Sequence, residues 1–396
     1  MKNSLLAFII FVFLNSCAAI KAYKYKDFDL KDLEKMDAVE LASSPQPFHF
    51  AYDTAGKDNL KAYLDSSLRN SLSYAFLVIR NDTILYERYF GNINESTRLP
   101  SFSVAKSFVS ALIGIAIQEK YIKSVQEPIT HYIPELRKND KGFDRVTIQH
   151  VLDMRSGVKS NENYYSPFSD VIRMGFSSNV TRPAMDLKLE TTPGSFDYKS
   201  VNTQLLAIIL ERATGRKLQD YAAEKIWTPV GMEYDASWNS DKKGTVRAFC
   251  CINAAARDYA KFGRLYLNRG NWQGKQIVPE SWVNSSTDKD SLYANGGYKN
   301  QWWANNNFRN FEDSLLAVSF ASTQKGAQLR SYALQNGLKR IYRVVYAGDA
   351  FHAQGILGQF VYVHPGKKLI IVRLGHNWSH PSKSAEGFIY QLGNAL

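Results

Sequence analysis

The central segment of this chain reads Leu99-Pro100-Ser101-Phe102-Ser103-Val104-Ala105-Lys106-Ser107-Phe108. It follows two apolar runs, residues 75–80 and 83–90, which Asn81-Asp82 joins as a strand hairpin. It then continues as an apolar helix through Ile117. A serine therefore lies where a sheet gives way to a buried helix, and this position suits a reactive side chain.

Ser103 and Lys106 have the i, i+3 spacing that places two side chains on one face of a helix. A lysine can take the proton of a serine hydroxyl if burial and the positive end of a helix depress its pKa. The N–H of Ser103 at the same helix end is a candidate oxyanion donor. The alternative is an N-cap serine followed by a surface lysine, because S-x-x-K also occurs among turn residues at Ser156, Ser240, Ser286 and Ser322.

The N-terminus has the pattern of an export signal. Lys2 precedes the apolar run 5–14, which is too short to span a bilayer, so residues 1–16 are expected to be a signal peptide. Leu-Asn-Ser-Cys at 14–17 resembles the lipobox of bacterial lipoproteins and predicts lipidation of Cys17. Ala18 then implies the outer membrane of a Gram-negative bacterium, with the domain facing the periplasm or the cell surface. The alternative is an ordinary signal peptide that ends near a cysteine.

Composition limits the classes of partner and cofactor. The formal charge of +12 is scattered along the 396 residues, so nucleic acid is not expected as a partner. The adjacent pair Cys250-Cys251 is expected to be buried and unbridged, because a disulfide between neighbours strains the peptide between them. His376 and His380 have metal-ligand spacing, but Pro381 and its neighbours favour a loop, so no metal is expected.

The order of elements predicts an α/β (α+β) fold. Apolar runs at 358–364 and 368–374 form a second hairpin through Pro365-Gly366, so both chain ends supply one antiparallel sheet flanked by helices. A mostly helical lobe is inserted at about 130–330, in a hydrolase domain that spans 71–396 after a tether and lead-in at 17–70. Residues 160–200 read as a loop over a cleft, and 285–340 as irregular.

Several further segments carry a resemblance to a known family. They are residues 147–157 (TIQHVLDMRSG), 229–232 (PVGM), 257–263 (RDYAKFG), 272–275 (WQGK) and 298–303 (YKNQWW). With Ser103 and Lys106, the chain from about 70 to 375 resembles the penicillin-recognising serine hydrolases, in the branch of class C β-lactamases, D,D-peptidases and 6-aminohexanoate-dimer hydrolase. The resemblance implies a β-lactamase/transpeptidase-like fold with Ser103 as nucleophile and Lys106 as general base.

The family's second motif falls after Pro193-Gly194 and implies that Tyr198 is catalytic. A phenol beside a cationic lysine can relay a proton to the leaving group. Ser200 replaces the asparagine of the lactamases, so a substrate contact made there is altered. Tyr164 and Tyr165 either roof the substrate cleft or pack a loop.

The third motif, Lys-Thr-Gly in lactamases, corresponds to Ala353-Gln354-Gly355. It is closer to the Gly-Ile-x-Gly-Gln pattern of the aminohexanoate hydrolase group, which implies that the N–H of Ile356 is the second oxyanion donor and that Gly355 borders the substrate. Ala353 replaces the cation that meets a penicillin carboxylate, which argues against efficient β-lactam turnover. His352 either takes that contact or faces water from an edge strand.

These features predict an exported, lipid-anchored serine hydrolase, an amidase or esterase that cleaves a small molecule or peptide through an acyl-enzyme on Ser103. No cofactor is implied, and substrate and oligomeric state stay open. One alternative is a D,D-peptidase or β-lactamase acting on cell-wall peptides or β-lactams. Another is a non-catalytic module that binds peptidoglycan in the same cleft.

Overall fold

The protein is described by a computed structural model at residues 30–53, 58–324, 326–333, 340–379 and 384–396. Its strands are β1 (Ala38–Leu41), β2 (Ala51–Tyr52), β3 (Ser73–Arg80), β4 (Thr83–Tyr89), β5 (Leu99–Pro100), β6 (Ala236–Asn239), β7 (Ile252–Ala254), β8 (Asn271–Trp272), β9 (Lys275–Gln276), β10 (Tyr298–Lys299), β11 (Trp302–Phe311), β12 (Gln328–Ala333), β13 (Arg340–Gly355), β14 (Gln359–His364) and β15 (Leu369–Gly375). Its α-helices are α1 (Asp58–Leu68), α2 (Ala105–Gln118), α3 (Leu136–Asn139), α4 (Ile148–Leu152), α5 (Asp170–Gly175), α6 (Thr181–Met185), α7 (Val201–Thr214), α8 (Leu218–Ala222), α9 (Ala256–Leu267), α10 (Glu280–Thr287), α11 (Lys289–Ala294), α12 (Ser314–Thr323) and α13 (Ala385–Ala395).

The main sheet joins the two ends of the chain. Its strand order is β10-β11-β13-β14-β15-β3-β4-β2, with β12 also paired to β13. The pairing is antiparallel throughout, except that β2 runs parallel to β4. Strand β15 pairs with β3, which confirms the predicted antiparallel sheet built from both termini and the α/β fold class.

Strand β3 is apolar without a break because both faces of the sheet are covered. Leu77 and Ile79 face a core shared with α2 and α9, whereas Phe76 and Val78 face a second core under α1 and α13. Successive side chains of a strand point to opposite faces, so a strand between two cores lacks the polar positions of a half-exposed one.

Helix α2 runs through the larger core. Every residue from Ala105 to Ala116 is buried or nearly so, and the ring of Phe108 stacks on Phe262 of α9 with 3.6 Å between centroids. A helix that is apolar on all sides belongs inside a protein. Its first turn therefore has a fixed position against the sheet.

The expectation that residues 285–340 are irregular is wrong for part of that segment. It contains strand β11, helix α12 and strand β12, which extend the sheet beyond the core. Strand β11 reads WWANNNFRNF, so it lacks the apolar alternation that identifies a half-buried strand. Its partner is β13, a pairing distant in sequence that local pattern does not reveal.

Two predictions concern parts of the chain that lie outside the described residues. The signal peptide, Cys17 and the start of the lead-in fall within 1–29, and His380 of the histidine pair also falls outside. Among the residues that are described, no helix is long and apolar enough to cross a bilayer. The same residues contain no group of three or more acidic, histidine or cysteine side chains that could hold a metal ion.

Candidate active site

Ser103 lies in a tight helical turn, Phe102–Val104, that leads directly into α2. Strand β5 delivers the chain to this turn by pairing with β7. Phe102, just before the serine, adopts a left-handed conformation with φ of +43°. Left-handed non-glycine residues cluster at functional sites, where the surrounding structure holds them in place.

The structure brings Lys106 to Ser103 as the helical spacing predicted. Lys106 is 1% exposed, and its Nζ donates to Ser103 Oγ at 2.8 Å and to the carbonyl of Phe249 at 2.7 Å. Burial lowers the pKa of Lys106 to about 7, while the charge of Glu162 acts in the opposite direction. A large share of Lys106 is therefore neutral near pH 7 and able to accept a proton.

Tyr198 completes this group. Its hydroxyl lies near the Ser103 side chain, and its ring lies 5.3 Å from Lys106 Nζ. Burial raises the pKa of Tyr198, although the nearby Ser103 side chain opposes that effect. The phenol is therefore neutral near pH 7 and has a proton to donate.

Glu162 is a site residue that the sequence did not reveal. Its Oε1 accepts from the hydroxyl of Tyr164 at 2.6 Å, and its Oε2 accepts from the backbone N–H of Ser200 at 2.9 Å. Ser200 Oγ lies 3.2 Å from the Tyr164 hydroxyl. Glu162 belongs to an irregular loop, where no spacing marks it.

The two adjacent tyrosines of that loop have different positions. Tyr164 lies near Tyr198, and its pKa is raised first by burial and then by the negative charge that Tyr198 carries once it is ionised at high pH. Tyr165 is 99% exposed. The structure therefore brings Tyr164 to the site and leaves Tyr165 in solvent.

Gly355, at the end of β13, packs against the turn that holds Ser103. A Cβ added at Gly355 would lie 2.5 Å from the carbonyl oxygen of Ser101 and 3.1 Å from the backbone nitrogen of Ser103. Only glycine allows this approach. Ile356, whose N–H is the expected second oxyanion donor, directly follows this close contact between Gly355 and the backbone of residues 101–103.

Neither position expected for His352 is the one found. Side chains alternate along β13, so Phe351 and Ala353 face the larger core and His352 faces the opposite side. His352 is 1% exposed, and its Nδ1 lies 3.1 Å from the hydroxyl of Tyr390 on α13. Burial lowers the pKa of His352 to about 3, so it is a neutral residue of the second core.

The expectation that Cys250 and Cys251 are unbridged is wrong, because they form a disulfide. The backbone accommodates the bridge with Cys251 in a left-handed conformation at φ of +74°. The indole Nε1–H of Trp238 donates to the carbonyl of Cys250 at 2.9 Å. The bridged pair directly follows Phe249, whose carbonyl accepts from Lys106.

Aromatic side chains pack around Tyr198, and the sequence did not identify them as site residues. Trp303 of β11 stacks on Tyr198 with 5.8 Å between ring centroids, and Tyr298 meets Trp303 edge-on at 4.5 Å. Phe196, 42% exposed, lies 6.2 Å from Trp303. These rings form an apolar wall beside the polar group.

Comparisons with known proteins identify the family of this chain. The family described as beta-lactamase matches residues 60–392. The 6-aminohexanoate-dimer hydrolase of Paenarthrobacter ureafaciens is 32% identical over 268 residues, which are 62% of this chain and 68% of that protein. Esterase EstB of Burkholderia gladioli is 28% identical over 217 residues, 48% of this chain and 54% of that protein.

A solved structure shows the same fold. A Bacillus anthracis protein, assigned provisionally as a 6-aminohexanoate-dimer hydrolase, superposes with a TM-score of 0.67 at 24% identity. The match covers 93% of this chain and 92% of that protein. The family match over most of the chain confirms the resemblance drawn from the sequence. The chain therefore belongs to the beta-lactamase family and is a serine hydrolase.

Proposed function

We propose that this hydrolase cleaves an amide or ester bond through an acyl-enzyme on Ser103. The observation that carries the proposal is the buried Lys106 Nζ, 2.8 Å from Ser103 Oγ, with a pKa lowered to about 7. A base is most effective when its pKa lies near the working pH. The relatives named as a dimer hydrolase and an esterase support hydrolysis of this kind.

In the first half of the reaction, neutral Lys106 takes the Ser103 proton as Oγ bonds to the substrate carbonyl carbon. The negative charge that develops on the carbonyl oxygen is held by the N–H groups of Ser103 and Ile356. The bond to the leaving group then breaks as Tyr198 donates its proton to the departing nitrogen or oxygen. Lys106 then returns its proton to the phenolate of Tyr198.

In the second half, water attacks the ester on Ser103. Lys106, neutral again, takes a proton from that water through Tyr198 or directly, and the second tetrahedral intermediate uses the same two N–H donors. Collapse of that intermediate breaks the bond to Oγ, which regains a proton, and the carboxylic acid leaves. The enzyme is then in its starting state.

Strand β13, beside the site, lacks the cation that would bind a substrate carboxylate such as that of a penicillin. Ala353 is buried and carries a methyl group where the lactamase motif has a lysine. His352 is neutral and faces the other side of the sheet, so it does not replace that charge. The aromatic wall of Phe196, Tyr298 and Trp303 instead suits an apolar group next to the scissile bond.

The proposal is tested by intact-mass spectrometry after exposure to a fluorophosphonate and, separately, to a penicillin. We expect one adduct from the fluorophosphonate, lost in Ser103→Ala and kept in Ser107→Ala. Ser107 is a suitable control because it is a buried serine on the same helix that donates to the Gln301 carbonyl. A penicillin adduct that forms at a similar rate would favour the peptidase or lactamase alternative. The absence of an adduct with both reagents would favour a binding module.

We also propose that the protein is exported and anchored through a lipid on Cys17. Support comes from the sequence of residues 1–17. In a Gram-negative host, the full chain should partition with the outer membrane and carry the mass of a lipid at Cys17. Cys17→Ala should release it into the soluble fraction, and unchanged partitioning of that variant would contradict the proposal.

A further inference from the structure

The turn Ile356–Gly358 joins β13 to β14 and has an unusual backbone. Leu357 and Gly358 are both left-handed, with φ of +63° and +78°. A leucine is rarely found in this conformation, because its Cβ crowds the following carbonyl. Neighbouring groups must therefore hold the turn in place.

Two buried side chains hold the carbonyl groups of this turn. Arg373 Nη1 donates to the carbonyl of Leu357 at 2.6 Å and to that of Gly358 at 2.8 Å. Gln359 Nε2 donates to the carbonyl of Ile356 at 3.2 Å. Every carbonyl of the turn thus accepts from a side chain of β14 or β15.

Arg373 is also fixed from behind. It is 0% exposed, its Nε donates to Ser73 Oγ at 3.0 Å, and its Nη2 donates to the carbonyls of Ser71 and Leu72 at 3.1 and 3.2 Å. Nη2 also donates to the carbonyl of Asn377. The guanidinium therefore links the turn to the segment around the start of β3.

The surroundings of the buried Arg373 guanidinium indicate a geometric role. Within the described part of the chain, no carboxylate lies at salt-bridge distance from it. Burying a cation without a counter-ion is costly unless hydrogen bonds replace its hydration. Backbone carbonyls supply those bonds, and a planar fork of donors fixes their relative positions.

Gln359 extends the same framework. Its Oε1 accepts from the N–H of Gly375 at 2.8 Å, and its Nε2 donates to the carbonyl of Gly375 at 2.6 Å. A Cβ at Gly358 would lie 2.5 Å from Arg373 Nη1, so the turn packs directly on the guanidinium. The turn therefore has little freedom to move while both side chains are present.

We infer that Arg373 and Gln359 are positioning residues that fix the N–H of Ile356 as an oxyanion donor beside Ser103. The inference rests on the proposed function, since this N–H matters only if an oxyanion forms at Ser103. Gly355 touches the backbone of Ser101 and Ser103, so a displaced turn changes the place of the Ile356 N–H relative to the serine. Arg373 and Gln359 act through the turn, from behind it.

The test is Arg373→Lys, assayed on a matched pair of substrates, an oxygen ester and its thionoester. Lysine keeps the charge, but its single ammonium group cannot span the contacts of the guanidinium. We expect kcat for the oxygen ester to fall roughly 30- to 100-fold, with KM within about threefold, as for a misplaced oxyanion donor. Sulfur is a weak acceptor, so the preference for the oxygen ester should shrink about tenfold in the variant.

Arg264→Lys is the matched control. Arg264 is a largely buried arginine, 8% exposed, that bonds Asp82 with two nitrogens and takes no part in the site. Its substitution should lower Tm and leave the oxygen-to-thionoester ratio unchanged. If Arg373→Lys does not fold, Gln359→Met tests the same turn from its other side and should lower the ratio in the same direction.

The outcomes separate the inference from the proposed function. An oxygen-to-thionoester ratio equal to that of the wild type, in folded Arg373→Lys or, failing that, in Gln359→Met, overturns the positioning role. The proposed acylation of Ser103 is not affected by that result. Failure of the wild-type enzyme to acylate Ser103 overturns both. A reduced ratio with a preserved fold supports the inference.

Discussion

Replacing Glu162 with glutamine should shift the acid limb of activity to lower pH. The carboxylate charge raises the pKa of Lys106, against the larger lowering effect of burial. Glutamine removes that charge and keeps a side chain of the same length near Tyr164 and Ser200. Lys106 should then lose its proton at lower pH, so more of it is neutral in mildly acidic solution.

The steepness and midpoint of the acid limb follow from the lowered pKa of Lys106. With the ordinary pKa of 10.5, about 0.03% of a lysine is neutral at pH 7, whereas with a pKa of about 7 roughly half is neutral. Burial therefore raises the fraction of active base by about three orders of magnitude. Below pH 7, kcat/KM should fall about tenfold per pH unit, to about 1% of its plateau at pH 5.

The assay is kcat/KM for a p-nitrophenyl ester between pH 5 and 9. Wild type should show an acid limb with its midpoint near 7, and Glu162→Gln a midpoint at lower pH. Asp170→Asn is the control, because Asp170 is a carboxylate at the start of α5 that accepts from the Asn161 N–H, and its substitution should leave the midpoint unchanged. An unmoved or higher midpoint in Glu162→Gln would refute the electrostatic role given to this residue.

Three further variants test separate parts of the site. Lys106→Met should reduce kcat at least about 10³-fold. In the wild type, the pKa of Lys106 is about 7 in the folded state and 10.5 in the unfolded state, so the free energy of unfolding should rise as the pH increases between these values. Urea denaturation of Lys106→Met should lack this rise. Tyr198→Phe should slow an anilide more than a p-nitrophenyl ester, since nitrophenolate leaves without a proton, and equal losses in the two rates would count against proton relay. Gly355→Ala should lower kcat about 100-fold with KM little changed, because its Cβ would lie 2.5 Å from the Ser101 carbonyl; wild-type turnover would show that the turn adapts.

Local pattern in the sequence was enough for the parts of the fold with both faces buried. Strands β3 and β14 are apolar except at their ends, β15 is apolar except for Arg373, and helix α2 is mostly apolar on every side. Their composition therefore predicts that they are buried. The spacing of Ser103 and Lys106 likewise follows from helical geometry alone. The pKa of Lys106 does not, because it depends on how completely Phe249 and its neighbours exclude water.

Other site features depend on contacts between distant segments. Glu162 reaches Ser200 across 38 positions from an irregular loop, and no residue pattern encodes that distance. The side of the sheet that His352 faces follows from alternation, but only once its neighbour Phe351 has been assigned to a core. Arg373 lies in an otherwise apolar strand, and apart from Ser73 its hydrogen-bond partners are backbone carbonyls that any sequence would supply.

Formation of an acyl-enzyme on Ser103 is tested by a rapid-quench experiment with a chromogenic ester, followed by peptide mapping. The leaving group should appear in a burst that approaches one equivalent per enzyme, and the acyl group should be found on the peptide that contains Ser103. The Lys106→Met variant should show no burst. Acylation of another residue would show that Ser103 is not the nucleophile. So would turnover that leaves Ser103 unmodified in the quenched enzyme and persists in Ser103→Ala.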